Sequence, residues 1–297
     1  MDATLPQSPR RRTLLTAGAG AALLGGLSSS ALADAGVLAK GVVWQLDADH
    51  LNPHGDWDRL GVTDLLVQWS AVDNTSYLPV GGPQAAAGLQ AATHSPDWQR
   101  IGREPWARNV ILGLAGRFDE TTARAQAAHL IEQSRMLTAA RPAMNIEGYY
   151  FPVEVDPTWQ GAAALGPLLY ALPRPLWISV YDTTNIGGAA LAAWLDSWLP
   201  RDVGIFFQDG CGVYARGPAA ARRYADALVA RLGKLRVRII AEAFRPAGNG
   251  GFRAATAAEL APQLFAYRGL RTYLFDGPHY VSTQLVQGLL DAQAALK

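Results

Sequence analysis

The chain has 297 residues, 49% of them hydrophobic, and a formal net charge of +1. That supplies a large core, and the near-neutral charge excludes a general field for binding nucleic acid. The single cysteine, Cys211, excludes an intramolecular disulfide.

In chain order, the first segment reads as an address. Arg10, Arg11 and Arg12 precede Thr13-Leu14-Leu15, and a Gly/Ala-rich apolar stretch runs to about Leu27. Ala31-Leu32-Ala33 then places small residues where a signal peptidase reads. Arg11-Arg12-x-Leu14-Leu15 resembles the twin-arginine signature, so residues 1–33 are expected to direct export to the periplasm or beyond and to be removed. Cleavage leaves 34–297, close to the roughly 250 residues of a single α/β barrel. No later stretch is apolar for long enough to span a bilayer, so no membrane association is expected after cleavage.

The remainder alternates short apolar runs with helical segments. The runs are Gly41 to Leu46, Asp64 to Trp69, Asn109 to Leu114, Met144 to Phe151, Leu176 to Val180, Val203 to Phe207, Arg236 to Ala241 and Arg271 to Phe275. They are nearly continuous in apolar residues, as parallel strands buried on both faces must be. Helices are expected over Glu120–Ala140, Ala189–Leu199, Pro218–Leu232, Thr256–Tyr267 and Ser282–Leu296, punctuated by Pro142, Pro200 and Gly233. Eight such units predict an α/β fold, a single (β/α)8 barrel. The competing open, doubly wound sheet lacks a Gly-x-Gly-x-x-Gly after the first strand. The stretch from Ser70 to Ser95 is the longest connection and should be an elaborated loop on the rim.

An α/β barrel places its active site at the C-terminal strand ends. The polar residues there are Gln45, Asp47, Asp49, Gln68, Arg117, Glu154, Asp156, Ser179, Asp182, Gln208, Asp209, Glu242, Asp276 and His279. Carboxylates and amides bond sugar hydroxyls in pairs, and aromatic rings stack on pyranose faces. A glycan is therefore the expected partner. Gln45, Gln68, Gln208 and Asp276 are the expected polar contacts, and Trp44, Trp69, Tyr150 and Tyr181 the expected rings. For Asp182 and Asp202, helix capping is an equal reading. Glu242 ends a strongly apolar strand, where an acid must be paired or used. Glu154 lies just past the fourth strand. Two such acids can divide glycoside hydrolysis into proton donation and nucleophilic or base action. Asp209 is a third candidate, aimed by the glycines at 210 and 212. Glu147, of opposite parity to Glu154, is expected to be buried in a pair.

These elements resemble a known family. Leu65 to Trp69, Gly148 to Asp156, Ile205 to Val213 and Ala241 to Phe244 are similar to the bacterial "domain of unknown function 4434" family of glycosidase-like barrels. Gln208-Asp209-Gly210-Cys211-Gly212-Val213 is the most specific piece. The resemblance implies the barrel and a hydrolase role on glycans. The chain also resembles the large clan of retaining glycosidases, which implies an acid/base after strand four and a nucleophile after strand seven. Glu154 and Glu242 match those places, but Val153 stands where that clan carries Asn.

No cofactor is expected. A metal-dependent hydrolase is the rival enzyme, on Asp47, Asp49, His50 and His54, although no diagnostic ligand spacing is present and no metal is expected. Ser179 lacks a Gly-x-Ser-x-Gly elbow. A non-catalytic glycan-binding barrel is the alternative outside enzymes. The sequence is silent on oligomeric state and on the sugar.

Overall fold

The computed structural model describes residues 37–248 and 250–296. The expected signal segment, 1–33, lies outside them. Eight parallel strands close into a barrel: β1 (Gly41–Trp44), β2 (Asp64–Val67), β3 (Asn109–Gly113), β4 (Ile146–Val155), β5 (Leu176–Val180), β6 (Val203–Gln208), β7 (Val237–Glu242) and β8 (Thr272–Phe275). Each pairs with the next in sequence, and β8 returns to β1 through Gly41↔Tyr273 and Val42↔Leu274. All eight expected strands are present, and the fold is the (β/α)8 barrel.

The outer layer is less regular than the expectation of a helix after every strand. After β3 the expected single helix breaks at Gln126 (φ −104°, ψ 15°) into α1 (Glu120–Ala125) and α2 (Ala127–Leu137). Full helices follow the last four strands: α3 (Gly188–Asp196), α4 (Pro218–Leu232), α5 (Ala257–Ala266) and α6 (Thr283–Ala294). After β1, β2 and β4 the described residues form short helical segments only, at Trp57–Leu60, Gly82–Ala86, Trp98–Ile101, Pro105–Ala107, Ala162–Ala164, Leu165–Leu168 and Leu169–Ala171. Bulk replaces helix there. Trp57 and Trp106 are fully buried and meet edge to face at 4.8 Å. The connection from Ser70 to Ser95 supplies three short strands, Ala71–Val72, Thr75–Ser76 and Gln90–Ala91, which join Ala115–Gly116 in a small sheet. No described helix is long and apolar enough to cross a membrane.

Side-chain parity organises the interior. Val43, Leu66, Ile111, Tyr150, Trp177, Phe206, Ile240 and Tyr273, one from each strand, form a buried cluster inside the barrel. Because strand side chains alternate, residues two further on point into the mouth above it. In β4 the register against β5 jumps from Phe151↔Ile178 to Glu154↔Ser179. Pro152 cannot donate to the ladder, and Pro152 and Val153 form a bulge. The bulge puts Glu154 opposite Ser179, on the inward-facing row.

Candidate active site

The barrel mouth holds a cavity of about 260 Å³, floored by Val43, Tyr150 and Ile240. Its polar wall is Gln45, Gln68, Arg117, Glu120, Glu154, Ser179 and Gln208, and its rings are Trp69, Phe118 and Phe275. Gln45, Gln68, Ser179, Gln208 and Phe275 each lie two residues beyond a member of the interior cluster, as the pleat requires.

Glu154 is the best-placed carboxylate. Its side chain is 24% exposed. Gln208 Nε2 donates to its Oε2 and also to Ser179 Oγ at 2.9 Å. Arg124 Nη2 stands 3.8 Å from its other oxygen. Burial raises its pKa, while the Gln208 bond and the Arg124 charge oppose the rise by favouring the anion.

Glu120 is the residue that sequence reading missed as a site acid. It lines the cavity from the first turn of α1, and its Oε1 accepts the Glu154 backbone N–H at 2.8 Å. Burial and the neighbouring Glu154 charge push its pKa up to about 8. Arg124 Nε lies 3.5 Å from Glu120, so one guanidinium stands between the two carboxylates. The available signal was Asp119-Glu120, an acid directly after the third strand's polar end; it read simply as a helix start.

Glu242 points inward from the end of β7 but does not line the cavity. The loop after β6 roofs it: the Gly212 N–H donates to its Oε2 at 2.6 Å, and 4% of the residue is exposed. A Cβ at position 212 would lie 2.8 Å from Glu242 Cβ and Oε2, so only glycine lets the loop rest there. Burial, then the Asp209 charge, pushes the Glu242 pKa up to about 8, with a further contribution from Glu154.

Asp209 sits elsewhere. It is one residue past Gln208 and therefore on the outward face, fully buried beneath α5. It accepts hydrogen bonds from Gln263 Nε2, from Tyr267 Oη at 2.8 Å and from the Cys211 N–H at 3.1 Å. These hold the turn that covers Glu242, and the structure gives Asp209 no path to the cavity. Four expected sugar contacts, Gln45, Gln68, Trp69 and Gln208, meet in the cavity, together with Tyr150 in its floor. Three do not. Trp44 is fully buried between barrel and outer layer, its indole N–H bonded to the His50 carbonyl at 2.8 Å. Asp276 is fully buried, accepting the Gln45 N–H at 2.8 Å. Tyr181 lies outside the cavity with Arg216 over its ring at 5.3 Å. Glu147 is exposed, contrary to its expected burial, because it lies near the N-terminal end of β4.

Gln68 carries a further signal. Its Oε1 is buried without a hydrogen-bond partner among the described residues. A buried acceptor left unmade is costly, and a ligand hydroxyl donating to it would remove that cost.

No protein-family model matches the chain, and no curated protein sequence matches it. Solved structures do. A Bacteroides thetaiotaomicron protein provisionally assigned as an α-L-fucosidase superimposes with a TM-score of 0.58 at 15% identity, over 95% of this chain and 98% of that one. The likeness is one of fold, the closed (β/α)8 barrel. A chitinase from Chromobacterium violaceum (TM-score 0.42, 13% identity, 85% of this chain and 99% of that one) is also similar. So is a class V chitinase from Pseudomonas fluorescens (TM-score 0.39, 14% identity, 64% and 81%).

Proposed function

We propose that this cavity hydrolyses glycosidic bonds in a bacterial polysaccharide or oligosaccharide. The observation that carries the reading is Glu154: the β4 bulge sets it opposite Ser179 in a cavity lined by amides and rings, where Gln208 and Arg124 favour its anion. Glu154 acts as the ionised carboxylate, attacking the anomeric carbon or activating water. Glu120, neutral below about pH 8 and in the same cavity, protonates the leaving oxygen. Gln45, Gln68 and Trp69 hold the sugar. The name carried by the similar Bacteroides barrel, a fucosidase, agrees with this class of reaction.

Glu242 supports a second assignment of the proton donor. It shares the raised pKa, faces inward from strand seven, and becomes reachable when the Gly212 loop lifts. The two assignments separate by leaving group. The variant that removes the true acid, Glu120→Gln or Glu242→Gln, loses turnover on alkyl glycosides but keeps it on nitrophenyl glycosides, whose leaving groups need no proton. The primary test is a screen of bacterial polysaccharides for released reducing ends. Glu154→Gln should lower turnover by about 10²–10⁴-fold with glycan binding retained. Binding with no turnover by the unaltered chain on any substrate would leave a glycan-binding barrel instead. Export by the twin-arginine route is part of the same proposal. N-terminal sequencing of exported protein should begin at Asp34.

A further inference from the structure

Barrel closure brings together a second group of side chains from opposite ends of the sequence. Asp47 and His50 follow β1, whereas His279 lies on the short helix Gly277–Tyr280 after β8. Pairing of β1 with β8 makes them neighbours. His50 Nδ1 is 3.0 Å from Asp47 Oδ1, and His279 Nε2 is 3.0 Å from Asp47 Oδ2. The three donor atoms all lie within 4.8 Å of one another.

We propose that Asp47, His50 and His279 bind a divalent transition-metal ion of the zinc type. Two imidazoles and a carboxylate are a zinc donor set, leaving one position open to water or a ligand oxygen. Ligands held about 2.0–2.1 Å from a tetrahedral ion stand roughly 3.3 Å apart, so the observed spacings need only small side-chain adjustments. The supporting shell is already built. Asp276 Oδ2 stands 3.0 Å from His279 Nδ1, which turns the other ring nitrogen toward Asp47. Asp276 is itself fully buried and tied to the Gln45 backbone. A carboxylate behind a ligating histidine is what orients such a ring and raises its basicity. Asp47 is likewise oriented, accepting the N–H groups of Asp49 at 2.9 Å and His50 at 2.8 Å. The three side chains are 26–37% exposed, so an ion can reach them. His54 and Asp49 take no part; His54 Nδ1 lies 3.3 Å from Arg100. The bound ion clamps the loop after β1 to the turn after β8, beside Gln45 in the cavity wall.

Zn²⁺ titrated calorimetrically into the chelator-stripped, untagged chain should bind at one ion per chain. Co²⁺ should give visible bands of a four- or five-coordinate site. His50→Ala, His279→Ala and Asp47→Ala should each weaken binding at least tenfold, and Asp276→Asn by roughly ten- to a hundredfold. His54→Ala and His94→Ala should leave it unchanged. Circular dichroism verifies folding of each variant, and His50→Ala, on an open loop, serves if His279→Ala does not fold. No saturable binding up to millimolar Zn²⁺ overturns the proposal. So does binding that survives His50→Ala and His279→Ala undiminished; the close contacts would then be proton-sharing bonds alone. Binding is read without turnover, so the outcome is independent of the hydrolase reading.

Discussion

Three glutamates stand at the barrel mouth, and burial raises the pKa of each. Glu120 and Glu242 both have pKa values lifted to about 8 from the ordinary 4.5, mainly by desolvation. Such a group binds its proton more tightly in the folded chain than in the unfolded one. Its stabilising effect is complete below about pH 4.5 and is lost as pH rises to about 8. Glu242→Gln removes this titration while keeping an oxygen for the Gly212 N–H. Urea denaturation should therefore show the variant gaining on the unaltered protein as pH rises from about 5 to about 9. A constant difference across that range would place Glu242 ionised throughout. For catalysis the same shifts predict a bell-shaped profile. Activity should fall above about pH 8 as the acid deprotonates, and at low pH as Glu154, itself raised, takes up a proton.

The strand is the element that decides which polar residues reach the cavity. Gln45, Gln68, Gln208 and Glu242 follow interior residues by two and point inward, while Asp209 and Asp276 follow by three and point out. This much was legible from period two once the interior residue of each strand was identified. The β4 bulge was not, because Pro152 marks a break without saying which way the chain resumes. Close strand approach makes a local prediction. A Cβ at Gly113 would lie 2.2 Å from the Val67 carbonyl oxygen and 2.3 Å from that of Gln68, both backbone atoms that cannot swing aside. Gly113→Ala should cost about 1–3 kcal/mol in chemical denaturation and displace Gln68 from the cavity. An unchanged denaturation midpoint would show that β2 and β3 can spread freely.

At the scale of the molecule, the interior cluster is both core and floor of the site. Phe206 meets Tyr273 at 4.9 Å, Tyr150 at 5.5 Å and Trp177 at 6.4 Å, and it is fully buried. Phe206→Ala should destabilise the barrel by about 3–5 kcal/mol, read from urea denaturation, and loosen Tyr150 beneath the cavity. Tryptophan serves mostly away from the cavity. Of the 9 in the chain, Trp69 lines the cavity, whereas Trp44, Trp57 and Trp106 are wholly internal. They fill volume where the outer layer lacks full helices. An abundance of Trp therefore reports packing here more than sugar binding.

Alternating apolar runs and helices determined the barrel from sequence alone, because parallel strands covered on both faces leave that pattern however the loops are drawn. The polar strand ends were equally legible, and Glu154 stood among them. Tertiary structure decided which acids share a cavity. Glu120 arrives there because the first turn of α1 lies against β4, where it accepts the Glu154 N–H, and Asp209 is turned away by one step of the pleat. Glu242 is covered by a glycine loop, and His279 meets Asp47 only because the sheet closes. These are relations between residues far apart in the chain, set by packing and register, and no local periodicity encodes them.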